Sequence, residues 1–187
     1  MREKPFVIGI AGGTCSGKST LAAVLEMRLL EKHTLASLPM DGYYKNPDIT
    51  TVAPFTHVEY AEHNHPDAMD IERIYSDFDA MLSDRSLDII LVEGLFTLYY
   101  EKIRERLDLK VYVDLQSDER LYRRIKRWIG KQTMEDIAAR YLDTVRYRHD
   151  ELVEPTRWHA DLVINGIFDA NFGTDILTAY IEAQLSR

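Results

Sequence analysis

The stretch "AGGTCSGKSTLA", residues 11–22, follows directly on the apolar run "FVIGI". Gly12, Gly17, Lys18 and Ser19 fall at the fixed positions of the pattern G-x-x-x-x-G-K-[ST], with a strand-like run before it and a leucine-rich helical segment after it. That context is what gives the pattern meaning. Glycines let the backbone wrap an anion with its amides pointing inward, and the helix that starts near Lys18 adds the positive end of its dipole. A lysine ammonium then reaches the outer phosphates, and a serine hydroxyl is placed to ligate Mg²⁺. The pattern predicts a nucleoside triphosphate cradle formed by Gly12, Gly13, Thr14, Cys15, Ser16, Gly17, Lys18, Ser19 and Thr20. It also restricts the fold to one in which a buried strand feeds a helix.

The rest of the chain agrees. Apolar runs at 6–12, 88–94, 109–115 and 160–166 read as buried strands, with 33–40 a weaker fifth. Segments of helical period lie between and after them at 18–32, 70–84, 117–129, 134–150 and 172–185. Strand alternating with helix implies parallel strands covered on both faces, a three-layer α/β domain. With 187 residues and no repeats or linker, a single domain over 1–187 is expected. The long stretch from Asp41 to Met69 reads as irregular; its length and its four tyrosines and phenylalanines point to a functional loop.

Composition excludes some partners. A net charge of −8 argues against a general affinity for nucleic acid or anionic membranes. The single cysteine, Cys15, leaves no disulfide framework or multi-thiolate metal site. The N-terminal apolar run is too short for a signal peptide and nothing approaches a membrane span, so a cytoplasmic location is expected.

A phosphate loop serves GTPases, motors and kinases alike. No N-K-x-D segment for reading guanine occurs, and the chain is small for a motor. A small kinase needs an acid near the acceptor hydroxyl, a metal-associated carboxylate and a cationic lid. Asp41 in "MDGYYK" follows the second apolar run, at the sheet edge where α/β ligands sit, and suits a general base near the metal; as a plain Asp-Gly turn it would need no such role. Glu93 ends the apolar run "DIILVEG", a position suited to Mg²⁺. In "RLYRRIKRWIGK", residues 120–131, six of twelve residues are Lys or Arg and none is acidic. Arg120, Arg123, Arg124, Arg127 and Lys131 share one helical face, with Leu121, Ile125 and Trp128 expected to anchor another. Such a face offers bidentate contacts to phosphate, although charge runs are usually solvated surface. His57, His63 and His65 are close in sequence but match no standard metal spacing. His149 and His159 show no partner.

Taken in order, the loop, "MDGYYK", "HPDAMD", "LVEG", "RRIKR" and "EPTRWHADLVI" resemble the uridine kinase (uridine–cytidine kinase) family, from about Pro5 to about Gly166. The resemblance implies a five-stranded parallel P-loop kinase sheet with a small basic lid at 120–134. It implies that ATP with Mg²⁺ is the phosphate donor and a small hydroxyl-bearing compound the acceptor. Asp41 would be the general base, Ser19, Glu93 and Asp41 would attend the metal, and Lys18, Arg124 and Arg127 would act on the phosphates, with Arg124 also near the acceptor's hydroxyls. Tyr43, Tyr44, Lys45 and Asn64 would border the acceptor. A homo-oligomer is implied as well, since such kinases commonly assemble.

The chain departs from the family pattern in three places. Asn64 stands where an aspartate usually contacts ribose, which removes a charge-assisted hydrogen bond. The family's hairpin before the Glu-Gly strand, whose tyrosine and histidine read the pyrimidine, has no room in "DAMLSDRSLDIILVEG". The lid reads "IGKQTMED" instead of Gly-Arg-Asp, with Lys131 offering a point charge in place of a planar fork. Phosphoryl transfer to the 5′-hydroxyl of uridine, cytidine or a similar nucleoside is the leading expectation. A different acceptor, such as nicotinamide riboside, another ribosyl compound or a polyol, stays open, as does a non-catalytic nucleotide-binding module.

Overall fold

The computed structural model describes residues 4–45, 49–167 and 170–186. Its main sheet has five strands, β1 (Phe6–Gly12), β2 (Leu35–Pro39), β5 (Ile89–Glu93), β6 (Leu109–Asp114) and β7 (Leu162–Asn165). They are parallel in the order β2-β5-β1-β6-β7. The wholly buried β1 is central, and the chain leaves it first toward β5 and later toward β6. In an open parallel sheet that reversal opens a crevice at the carboxyl ends of the strands.

Alternation along β1 builds the three layers, because successive side chains point to opposite faces. Phe6, Ile8 and Ile10 join one core with Leu21, Leu25 and Leu29 of α1 (Lys18–Leu29) and with Leu177 and Ile181 of α7 (Ala170–Leu185). Val7 and Ala11 join the opposite core with Ile74 and Phe78 of α2 (Ile71–Ser83). Asp70 starts α2 by accepting a hydrogen bond from the Arg73 amide at 3.2 Å, a side-chain N-cap. Between β5 and β6 lies the short α3 (Glu101–Arg104). Among the described residues no helix is long and apolar enough to cross a membrane.

Two expectations change. The stretch from Asp41 to Met69 is not wholly irregular. It contains an antiparallel hairpin of β3 (Thr50–Val52) and β4 (Glu59–Ala61), in register Thr51 with Tyr60; positions 46–48 of that stretch lie outside the described residues. The helical segment expected at 134–150 starts as α5 (Met134–Arg140) and then widens. It passes through π-type turns at Tyr141–Val145 and His149–Val153, on either side of α6 (Arg146–Arg148). Such wide turns often occur at functional sites. Between Ser83 of α2 and Ile89 of β5 only residues 84–88 intervene, so no hairpin stands there.

Candidate functional site

The glycines of the phosphate loop answer two steric demands. Gly12 has φ 146°, and a Cβ there would lie 2.5 Å from the Val113 carbonyl oxygen. Gly17 has φ 104° and is itself the N-cap of α1, with no side chain closing the helix end. First-turn amides that no side chain caps are donors left for a ligand, and the dipole favours an anion. The Ser16 hydroxyl is fully buried without a partner beneath the same loop.

Lys18 and Ser19 converge on Glu93. The Ser19 hydroxyl donates to Glu93 Oε1 at 3.0 Å, and Lys18 Nζ lies 3.4 Å from the same oxygen. Glu93 is buried at the end of β5, where register sets it beside Ile10 of β1 and Pro39 of β2. Two residues beyond Pro39, in the 3₁₀ turn Met40–Tyr43, is Asp41. Tyr44 feels both acids: burial raises its hydroxyl pKa well above the usual tyrosine value, and Asp41, Glu62 and Glu93 add to it in that order. The Tyr44 hydroxyl therefore stays neutral in the field of three carboxylates.

The basic helix α4 (Ser117–Trp128) supplies the cations in an unexpected way. The side chains it buries are Arg120 and Arg124, while Leu121, Ile125 and Trp128 stay partly exposed. Arg124 donates from Nη1 to Thr14 Oγ1 at 3.2 Å, its guanidinium carbon lies 4.0 Å from the Trp128 ring centre, and its buried Nε has no partner. Burial lowers its pKa to about 10, with Arg140 and Arg127 contributing, and at neutral pH it keeps its charge. Arg123 and Arg127 line a hollow of about 200 Å³ together with Cys15, Gly17, Lys18, Ser19 and Thr20. Arg123 is held there by donating to the Gly166 carbonyl at 3.0 Å. Lys131 falls beyond the end of α4 and is exposed, so it does not share the arginine face.

Of the remaining expected residues, Tyr43 turns toward α2, where its hydroxyl donates to Asp77 at 2.8 Å and Arg73 covers its ring. Exposed Lys45 donates to the Asp67 carbonyl at 3.3 Å. Asn64 is held by its backbone, whose N–H donates to Glu62 Oε1 at 2.6 Å. The three closely spaced histidines part company. His57 sits at φ 58° in the turn after Phe55, His63 packs on Tyr44, and His65 Nδ1 accepts from the Asp67 amide. Among the described residues no three His, Cys, Asp or Glu side chains gather as a metal cage.

Sequence reading missed a group behind the loop. A Cβ on Gly13 would meet Arg120 Nη1 at 2.7 Å and His149 Cε1 at 2.9 Å, so both side chains brace the loop from below. His149 Nε2 lies 3.3 Å from Glu154 Oε2, which also accepts from the Tyr112 hydroxyl at 3.0 Å. An acid so near would ordinarily charge the ring. Burial, followed by Arg120, instead pushes the His149 pKa down to about 4, so the imidazole beside Glu154 is neutral at pH 7. Nothing in the neighbouring sequence signals this role, because Arg120 and Glu154 come from separate elements.

Oxygen donors from Ser19 and Glu93, free helix-start amides, Lys18 and a buried arginine face fit a triphosphate with a hard divalent cation. With a single carboxylate at the Ser19 hydroxyl, Mg²⁺ would draw its other ligands from phosphate and water, its usual habit.

The sequence signature of the Phosphoribulokinase / Uridine kinase family matches residues 80–171. The chain is 31% identical to the uridine kinase of Staphylococcus epidermidis over 205 aligned positions, covering 97% of each chain. It is 33% identical to the uridine kinase of Halobacterium salinarum over 183 positions, covering 85% of this chain and 79% of that one. In fold it is similar to a candidate uridine kinase from Bacillus stearothermophilus, with a TM-score of 0.51 at 21% identity over 88% of this chain and 90% of the other. It is also similar in fold to a candidate fructose transport system kinase from Silicibacter sp. TM1040, with a TM-score of 0.67 at 16% identity over 87% of this chain and 90% of the other. Relatives above 30% identity along most of its length, on a parallel sheet carrying a phosphate loop, show that the chain belongs to the phosphoribulokinase/uridine kinase family of P-loop kinases.

Proposed function

We propose that the protein transfers the γ-phosphate of ATP·Mg²⁺ to the 5′-hydroxyl of uridine, cytidine or a similar nucleoside. The observation that carries this reading is the convergence of Lys18 and Ser19 on Glu93, with Asp41 two residues past the strand position that pairs with Glu93. In this reading the loop from Gly12 to Thr20 cradles the phosphates, and Lys18 with Arg124 and Arg127 neutralises charge that spreads over the transferred group. Ser19 and Glu93, with Asp41 nearby, would hold Mg²⁺, which would supply positive charge to neutralise the phosphates. Asp41 accepts the proton of the attacking hydroxyl. Tyr44 and Asn64 border the acceptor, with Tyr43 and Lys45 shaping the loop behind them. Residues 120–134 act as a lid within a single domain over 1–187, working in the cytoplasm as a homo-oligomer.

A second reading, a kinase for another ribosyl compound or a polyol, is favoured by the short 84–88 connection, which leaves out the family's base-reading hairpin. One assay separates the two. ADP release with ATP·Mg²⁺ is followed against uridine, cytidine, nicotinamide riboside and simple sugars, with product mass confirmed and Lys18→Ala as control. Turnover of uridine or cytidine that Lys18→Ala abolishes is the expected result. Turnover confined to another acceptor selects the second reading, and turnover surviving in Lys18→Ala overturns the phosphate-loop assignment.

A further inference from the structure

Arg120 is the most deeply buried residue of α4, 3% exposed, and it is not among the residues that line the phosphate hollow. It meets the loop beneath Gly13 instead. A Cβ on Gly13 would lie 3.0 Å from its Cδ and 2.7 Å from its Nη1, so stem and guanidinium press directly on the loop backbone. One hydrogen bond fixes the side chain, from Nε to the Leu115 carbonyl at 3.0 Å, while the buried Nη1 has no partner.

A guanidinium is a permanent cation in proteins. The acids that act on the same neighbours as Arg120 are engaged elsewhere. Arg157 holds Asp114 at 3.3 Å and Glu154 at 3.6 Å, and Asp150 faces solvent. Among the described residues Arg120 itself forms no ion pair. Its charge is still felt around the loop floor: burial raises the hydroxyl pKa values of Tyr112 and Tyr141, and Arg120 opposes both rises. A buried cation without a counter-ion is costly to the fold. An anion in the loop above it supplies one.

We propose that Arg120 is an electrostatic positioning residue, whose unpaired charge beneath Gly13 draws the triphosphate into the loop without touching it. The inference rests on the triphosphate reading of the loop. It adds to Lys18, Arg124 and Arg127 a fourth cation that acts through the loop backbone from behind. Charge fixed in a dry site before the ligand arrives costs no reorganisation on binding. The attraction scales with the charge of the ligand, so ATP feels it more than ADP. A role confined to the Leu115 hydrogen bond would not separate the two nucleotides.

The test is calorimetric titration of ATP and of ADP, each with Mg²⁺, into wild type, Arg120→Gln, Arg120→Lys and Arg157→Gln, with a thermal melt of each protein. Arg120→Gln keeps a donor for the Leu115 carbonyl and loses the charge. It should raise Kd about tenfold for ATP and about threefold for ADP, the scale of one partly screened charge. Arg120→Lys restores the charge and should bind ATP within about threefold of wild type. Arg157→Gln changes a side chain that is 41% exposed and frees Asp114 and Glu154 to neutralise Arg120. It should raise Kd for ATP about threefold in a protein that still melts cooperatively. Arg120→Gln binding ATP as wild type does, losing ATP and ADP by the same factor, or matched in its loss by Arg120→Lys overturns the assignment and leaves the phosphate loop intact. If Arg120→Gln does not fold, an unchanged Kd for ATP in Arg157→Gln overturns it instead. Wild type binding neither nucleotide overturns both the assignment and the triphosphate reading.

Discussion

His149 packs beneath Gly13, where burial and Arg120 keep its ring neutral. The linkage has a definite sign. The unfolded chain takes up the proton near pH 6.5, whereas the folded ring resists until about pH 4. Stability from this site is complete above the unfolded pKa and is lost as pH falls from about 6.5 toward 4. The full span is on the order of 3 kcal/mol. Urea unfolding of wild type and His149→Gln at pH 7 and pH 4.5 checks it. Wild type should lose more stability over that interval than the variant, and equal losses would mean the ring is charged in the fold. No sequence pattern reveals His149, because its partners are brought to it by α4 and by the turn after Val153. Gly12, Gly17, Lys18 and Ser19 are legible for the opposite reason: the phosphate loop is one local segment, and its fixed positions all fall within eight consecutive residues.

At the scale of elements, the strands with long apolar runs announce themselves, and the β3–β4 hairpin does not. "TTV" and "EYA" are too short and too polar to carry a period-two signal. The hairpin stands because Glu62, Tyr60, Thr56 and Ala61 find partners on the helical segment, contacts between residues about 80 positions apart. Arg148→Met leaves the Glu62 carboxylate buried with only the Asn64 amide. It should destabilise the protein by about 2 kcal/mol, below the 3–5 typical of a fully buried pair because Arg148 is itself partly exposed. Adding Glu62→Gln should return part of that loss. Urea melts of the single and double variants measure it, and an unchanged single variant would place the hairpin's anchor at Asp143 instead. In α4 the helical spacing was legible but its polarity was inverted. Arg120 and Arg124 face inward because the Leu115 carbonyl and the Thr14 hydroxyl give them partners there, and Trp128 is left to cover Arg124.

The whole molecule follows from the sheet. Alternating apolar residues on a strand buried on both faces require a layer of helices on each side, so the three layers were readable from β1 alone. The strand order was not, because it depends on which face each crossover takes. That order matters chemically: it sets the carboxyl ends of β1, β5 and β2 side by side and so gathers Lys18, Glu93 and Asp41 from separate parts of the chain. The measurement that bears most directly on this account is transfer of labelled γ-phosphate from ATP to uridine by wild type and Asp41→Asn, with ATP affinity determined for both. The account predicts labelled nucleotide from wild type and a rate about 10²–10⁴ lower in Asp41→Asn, the range for a general base, at nearly unchanged ATP affinity. Equal rates in the two proteins would contradict it.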